Sequence, residues 1–166
     1  LRGCGLPETF IENLPSLLGE PIQYDSLFIS YASHDQAFAE RLHADLQNKG
    51  VRCWYAPEDM KIGDEFRSRI DASINLHDRL LLILSEHSIK GQWVQKEVET
   101  AFEKEKKDNR LVLFPIRLDD TVMQTDIGWA ADIRRQRHIG DFSQWKEHDA
   151  YQQAFTRLLH DLKVEG

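Results

Sequence analysis

Arg79-Leu80-Leu81-Leu82-Ile83-Leu84 sets five apolar residues in a row. A strand with one wet face alternates apolar and polar side chains, so this unbroken run reads as a strand buried on both faces, as in the middle of a parallel sheet. Upstream, Leu27-Phe28-Ile29 reads as a second buried strand, and it comes first in the chain. Ser33-His34-Asp35-Gln36 then fits a capping box. Phe38, Leu42 and Leu46 recur down one helical face with Ala39 beside them, and Gly50 stands where a C-terminal cap belongs. The unit repeats with a strand over residues 51–55, a polar loop over 56–65, and Phe66, Ile70 and Ile74 on one face of a helix. After the run at 79–84, residues 85–92 read as a loop, and Val94, Val98, Ala101 and Phe102 give the next helix its core stripe. A fourth strand is expected over 111–116 with Pro115 near its end, because proline cannot complete a central ladder. A long irregular stretch follows, then a short last strand over 136–139. Tyr151, Ala154, Phe155, Leu158, Leu159 and Leu162 make a strongly amphipathic closing helix.

Strands alternating with helices imply an α/β fold, a doubly wound five-stranded parallel sheet of order 2-1-3-4-5 with helices on both faces, because parallel neighbours need right-handed crossovers. Ligands of such sheets bind beyond the carboxyl ends of the strands, at the switch point between strands one and three. That crevice is lined here by residues 31–35 and 85–93. Residues 1–23 hold three of the five prolines and three of the nine glycines and read as a connector, leaving 24–163 as the domain.

The 166 residues carry 21 Lys and Arg against 28 Asp and Glu, a net charge of −7. This balance argues against a general nucleic-acid binder, which needs clustered cations. Only Arg134, Arg135, Arg137 and His138 crowd together, and they read as a solvated loop. No apolar run approaches the roughly 20 residues of a membrane-spanning helix. Cys4 and Cys53 are too few for a disulfide-stapled scaffold and favour a reduced, cytoplasmic setting. The chain opens at Leu1 with no basic region before an apolar stretch, so it reads as a piece of something longer without a signal peptide. A phosphoacceptor receiver needs acids after strands one and three and a Lys after strand four. The strands instead end Ser30-Tyr31-Ala32, Leu84-Ser85 and Ile116-Arg117. Phosphate-loop and dinucleotide fingerprints are missing, and the seven His show no metal-ligand spacing. They are expected at the surface.

Trp93-Val94-Gln95-Lys96-Glu97 stands out at the start of the helix beyond the third strand. The i, i+4 spacing puts indole and carboxylate on one face, at the rim of the core beneath the crevice. A carboxylate beside an aromatic ring in a partly dry pocket suits cleavage of an N-glycosidic bond, because it stabilises the oxocarbenium-like charge on the sugar. Nicotinamide leaves NAD+ as a neutral molecule from a cationic ring, so one carboxylate is enough. On spacing alone the signal is weak, because Trp and Glu four apart are common and a Trp at a helix start usually packs.

Taken together in this order and spacing, the segments 28–35, 56–65, 80–88 and 93–97 resemble a bacterial-type Toll/interleukin-1 receptor (TIR) domain, whose fold is flavodoxin-like. The resemblance covers 24 to about 163. Residues 1–23 resemble the tail of a pentapeptide-repeat region. The resemblance implies an NAD+ nucleosidase in which Glu97 is catalytic and Trp93 shapes the pocket, with NAD+ as substrate and no separate cofactor or metal. It implies that Tyr31, Ala32 and Ser33 contact the nucleotide, and that 56–65 act as a gate and as a surface for TIR–TIR association. Each residue also has a plain structural reading: Ser33 caps a helix, Tyr31 packs, Trp54 lies in the core, and Ser85 and Ser88 either bond the ribose or close a loop. Receptor-type domains commonly place Pro before the Gly of the gating loop, whereas this chain has Ile62 before Gly63, which weakens transfer of animal-receptor contacts. Two other functions compete with hydrolysis or cyclisation of NAD+: a purely adaptor module, and deoxyribosyl transfer.

Overall fold

The computed structural model describes residues 24–57, 74 and 78–163. The proposed connector, most of the 56–65 loop, Phe66 and Ile70 lie outside these. The described elements run β1 (Leu27–Tyr31), a 3-10 turn (Ser33–Asp35), α1 (Gln36–Asn48), β2 (Cys53–Pro57), β3 (Arg79–Leu84), α2 (Gln92–Asp108), β4 (Leu113–Arg117), α3 (Thr121–Gln124), α4 (Gly128–Gln136), β5 (Gly140–Asp141) and α5 (His148–Leu162). All strand pairs are parallel, in the order β2-β1-β3-β4-β5. The expected sheet is therefore the observed one.

β3 is buried along its whole length, and its side chains divide between two cores. Leu81 and Ile83 join Leu27, Ile29 and the apolar faces of α1 and α5. Leu80, Leu82 and Leu84 join Phe28, Ile74 and the stripe Val94, Val98 and Ala101 of α2. Strand period two thus assigns every residue of β1 and β3 to a known side of the sheet. At the amino ends of these strands, Asp25 accepts from Arg79 Nε at 2.8 Å and from Arg110 at 2.7 Å. This buried acid is paired, as a charge removed from water must be.

Several local expectations are corrected. Ser33 opens a 3-10 turn whose cap position is Ala32, and the cap position of α1 falls on Asp35 with no side-chain capping bond. Gln36, the other member of the expected capping box, donates from its side-chain amide to Glu40 Oε2 at 2.7 Å, one turn along α1. β2 spans Cys53–Pro57 and not 51–55, since Gly50 and Val51 still belong to the end of α1: Gly50 N donates to Gln47 O at 3.0 Å and Val51 N to Leu46 O at 3.0 Å. That pair of bonds is a Schellman cap. Trp54 is 49% exposed, not core, because alternation on the sheet's edge strand turns Cys53 inward and Trp54 to the other side.

Pro115 sits mid-strand in β4, opposite Leu82. Val112 O and Leu118 N both bond toward β3, so the even residues of β4 serve that ladder and Pro115 faces the other side. There β5 pairs only with Ile116 and Arg117, and no ladder bond is lost. β5 itself begins at Gly140, beyond the expected 136–139. The stretch read as irregular contains α3 and α4, the latter burying Trp129, Ala130 and Ile133. Nor is the arginine cluster a solvated loop: Arg134 donates to Val122 O and Thr125 O, tying α4 to α3, Arg135 pairs with Asp132, and Arg137 pairs with Glu105 of α2.

Gly50 adopts φ +87°, and a Cβ built there meets nothing within 4 Å. Gly50→Ala should therefore cost about 1 kcal/mol through backbone strain alone. Urea unfolding will show this as a lower midpoint with an unchanged slope.

Candidate active site

Buried polar side chains mark where this core departs from a purely apolar filling. Asp25, Ser26 and Arg79 lie at the amino ends of the strands; Ser30, Ser85, Ser88 and Glu97 lie toward the carboxyl ends. The second group surrounds the switch point between β1 and β3. It is built as follows.

On α2, the positions 94, 97, 98 and 101 follow one another at helical spacing on the face turned to the sheet. Three are Val94, Val98 and Ala101; the fourth is Glu97, with no exposed surface at all. The carboxylate is therefore in the stripe, deeper than the rim position expected from the sequence. Ser30 of β1 faces the same side as Phe28, is likewise fully buried, and donates from Oγ to Glu97 Oε1 at 2.9 Å and Oε2 at 3.1 Å. Sequence reasoning missed Ser30. Its signal was a lone serine within the otherwise large and mostly apolar strand Leu27-Phe28-Ile29-Ser30-Tyr31.

The loops beyond the strands are stitched together. Ser85 Oγ donates to Asp35 Oδ2 at 2.6 Å, and the backbone N–H groups of His87 and Ser88 donate to Ser85 Oγ at 3.1 and 3.3 Å. Ser85 N donates to Ser88 Oγ at 2.8 Å, so both serines close the loop after β3. Glu86 N donates to Asp119 Oδ2 at 2.9 Å, joining this loop to the end of β4. At the surface the rings of His34 and His87 stack with centroids 4.5 Å apart. Burial pushes the Asp35 carboxyl above its ordinary range, against the Ser85 hydrogen bond and the nearby His87, which favour the anion. The sequence placed Asp35 in the crevice lining of 31–35 but gave it no role of its own. An acid four residues beyond a buried strand was its only sign.

The expected site residues thus divide. Ser85 and Glu97 are both buried toward the carboxyl ends, whereas the Tyr31 ring lies on the opposite face of the sheet from Ser30 and stacks on Tyr55 with centroids 5.7 Å apart. Ala32 is buried and Ser33 exposed at the mouth of the crevice. Trp93 lies in the first turn of α2; its side chain is outside the described residues. Cys53 is buried and its thiol is pushed up to about 11, so it offers no thiolate near neutral pH. Among the described residues no His, Cys, Asp and Glu are grouped to hold a metal ion, and no helix is long and apolar enough to cross a membrane.

A cavity of about 870 Å³ lies elsewhere, between the β4–β5 edge and α5. None of the buried polar side chains lines it. That groove is roomy, but the chemistry sits at the switch point, where a buried carboxylate meets a buried hydroxyl. Function depends on reacting groups and not on volume, so the switch point is the candidate site.

Comparison with known proteins agrees with this placement of the fold. Residues 27–159 match the TIR domain family. A 2' cyclic ADP-D-ribose synthase of Acinetobacter baumannii is 34% identical over 92 residues, which cover 55% of this chain and 34% of that protein. An NAD(+) hydrolase of Paracoccus denitrificans is 33% identical over 88 residues, covering 52% of this chain and 29% of that protein. The chain thus spans about a third of the length of these curated relatives. Among solved structures, the TIR domain of a Toll-related receptor from Hydra magnipapillata aligns with a TM-score of 0.59 at 17% identity, covering 84% of this chain and 98% of that one. The TIR domains of the activated Roq1 resistosome align with a TM-score of 0.58 at 16% identity, covering 84% and 99%. At such identities these two structures carry the fold alone. With the sheet order, the crevice and a match across 27–159 in agreement, the chain belongs to the TIR domain family.

Proposed function

We propose that this domain is an NAD+ nucleosidase, cleaving the bond between nicotinamide and ribose to give ADP-ribose or a cyclic variant of it. The observation that carries the reading is Glu97, a carboxylate with no exposed surface on the sheet-facing side of α2, beside the switch-point crevice. Burying a charge in an apolar stripe is costly, so its place there calls for a function. The names of the bacterial relatives, a 2' cyclic ADP-D-ribose synthase and an NAD(+) hydrolase, support the same chemistry.

In this account NAD+ is the substrate and no further cofactor takes part. Its nicotinamide riboside end enters between the ends of β1 and β3. As the glycosidic bond breaks, the electron pair leaves with nicotinamide, and positive charge spreads over the ribose C1 and ring oxygen. Glu97 supplies the opposing charge in a site of low dielectric, where such stabilisation is strongest. Water then attacks C1 and loses a proton to give ADP-ribose, or a hydroxyl of the same nucleotide attacks and closes a ring. The backbone of Ala32 and Ser33 and the Ser85 loop contact the nucleotide, Tyr31 sets the end of β1 from the opposite face, and Trp93 shapes the pocket. Glu97 is covered in this structure, so turnover requires the crevice walls to part. Self-association of TIR domains, in bacterial signalling or defence within the cytoplasm, is the event we assign to that opening.

Glu97→Gln keeps shape and removes charge. Nicotinamide release from NAD+ by concentrated, tethered protein should fall at least about 100-fold with the melting curve still cooperative; equal rates in the two proteins would remove Glu97 from the chemistry. Asp35 tests the wall of the crevice. Its raised value means that ionisation works against the folded state, a penalty absent below the ordinary carboxylate range, growing as pH rises from the unfolded value toward the folded one, and constant above it. The melting temperature of Asp35→Asn relative to wild type should therefore climb between pH 4 and 7, whereas a constant offset would show that Asp35 ionises equally easily in the folded and unfolded chain.

A further inference from the structure

The plane of a glutamate carboxylate is poorly fixed by its own chain, because the last side-chain torsion joins sp³ to sp² carbon and has a broad, shallow profile. A carboxylate that must face a cation forming on one side of it needs an outside constraint. Ser30 supplies one. Its hydroxyl lies 2.9 Å from one oxygen of Glu97 and 3.1 Å from the other, so it sits close to the bisector of the carboxylate and resists rotation in either direction.

The support behind that hydroxyl is rigid. Ser30 belongs to β1, paired with Ala56 of β2 on one side and Leu82 of β3 on the other, and the whole strand is buried. A serine in such a place carries a penalty unless its hydroxyl is bonded, and an alanine would fill nearly the same space without one. We propose that Ser30 is a positioning residue: it holds the plane of the Glu97 carboxylate toward the crevice and does not itself touch the substrate. The proposal rests on the reading of Glu97 given above and adds the residue that orients it.

The consequences differ from those of a packing residue. Ser30→Ala removes the restraint but leaves Glu97 on its helix and the nucleotide contacts in place. NAD+ affinity is then held while the charge is misaligned in the transition state, and angstrom-scale misplacement can cost up to about 100-fold in rate. Ser30→Cys, of similar size with a weaker donor, falls between the two.

The experiment measures kcat and KM for nicotinamide release by wild type, Ser30→Ala, Ser30→Cys and Glu97→Gln under the same tethered conditions. It also measures unfolding free energies for wild type, Ser30→Ala, Glu97→Ala, which removes the acceptor, and Ser30→Ala/Glu97→Ala. The expected result is a kcat about 10- to 100-fold lower in Ser30→Ala with KM within about two-fold, an intermediate kcat in Ser30→Cys, and stability losses in the pair that are not additive. Should Ser30→Ala not fold, Ser30→Cys carries the same kinetic comparison. Wild-type kcat in the folded Ser30 variants, a change in KM alone, or additive stability losses would each overturn the positioning role while leaving Glu97 in its own. Equal turnover by Glu97→Gln and wild type, or no turnover by wild type, would instead overturn the nucleosidase reading and this proposal with it.

Discussion

The pairing of β1 with β3 is the contact on which the rest of this domain depends. Both strands are buried on both faces, so each must have a strand on either side and a helical layer above and below. β2 takes the outer side of β1, and β4 followed by β5 takes the outer side of β3. The chain therefore leaves β1 and β3 in opposite directions across the sheet, and their carboxyl ends open into a crevice. The same pairing sets Ser30 beside Leu82 on the face that receives α2. Helical spacing then brings Glu97 beneath the crevice with no loop needed to carry it.

Against that frame, Glu97 is a local conflict between packing and chemistry. A leucine at this position would extend the stripe of Val94, Val98 and Ala101. The carboxylate gives up hydration, and the Ser30 hydroxyl offsets part of that loss. Conflicts of this kind, where one residue breaks the rule its neighbours obey, are expected at functional sites. Asp25, the other buried carboxylate among the described residues, is different in kind. Two arginines neutralise it at the far end of the strands, and it serves the fold.

What was legible in the sequence follows the range of the interactions concerned. β3 and the faces of α1 and α5 are periodic patterns within a few residues of themselves, and Gly50 is a single residue whose positive φ announces a cap. The sheet order followed from them through general rules of chirality. α3 and α4 were missed because they are short, and α4 opens on a glycine, so neither repeats its pattern enough to be seen. Pro115 and Trp54 were misplaced because their surroundings depend on which strand lies at the edge and how far β5 reaches. In the site, the spacing of Trp93 and Glu97 was visible, but the depth of Glu97 was not. Ser30 lies 67 residues from the carboxylate it holds, and Ser85 lies 50 from Asp35. No local pattern encodes such pairs.

The central claim is that NAD+ chemistry takes place at the switch point and not in the groove between the β4–β5 edge and α5. The most direct measurement is the structure of the self-associated protein with an NAD+ analogue whose nicotinamide ribose is carbocyclic, which lacks the ring oxygen that shares the developing charge. The account predicts that its nicotinamide-bearing ring lies within hydrogen-bonding reach of the Glu97 carboxylate, between the ends of β1 and β3. An analogue seated in the groove against α5, with Glu97 still covered and bonded to Ser30, would contradict it.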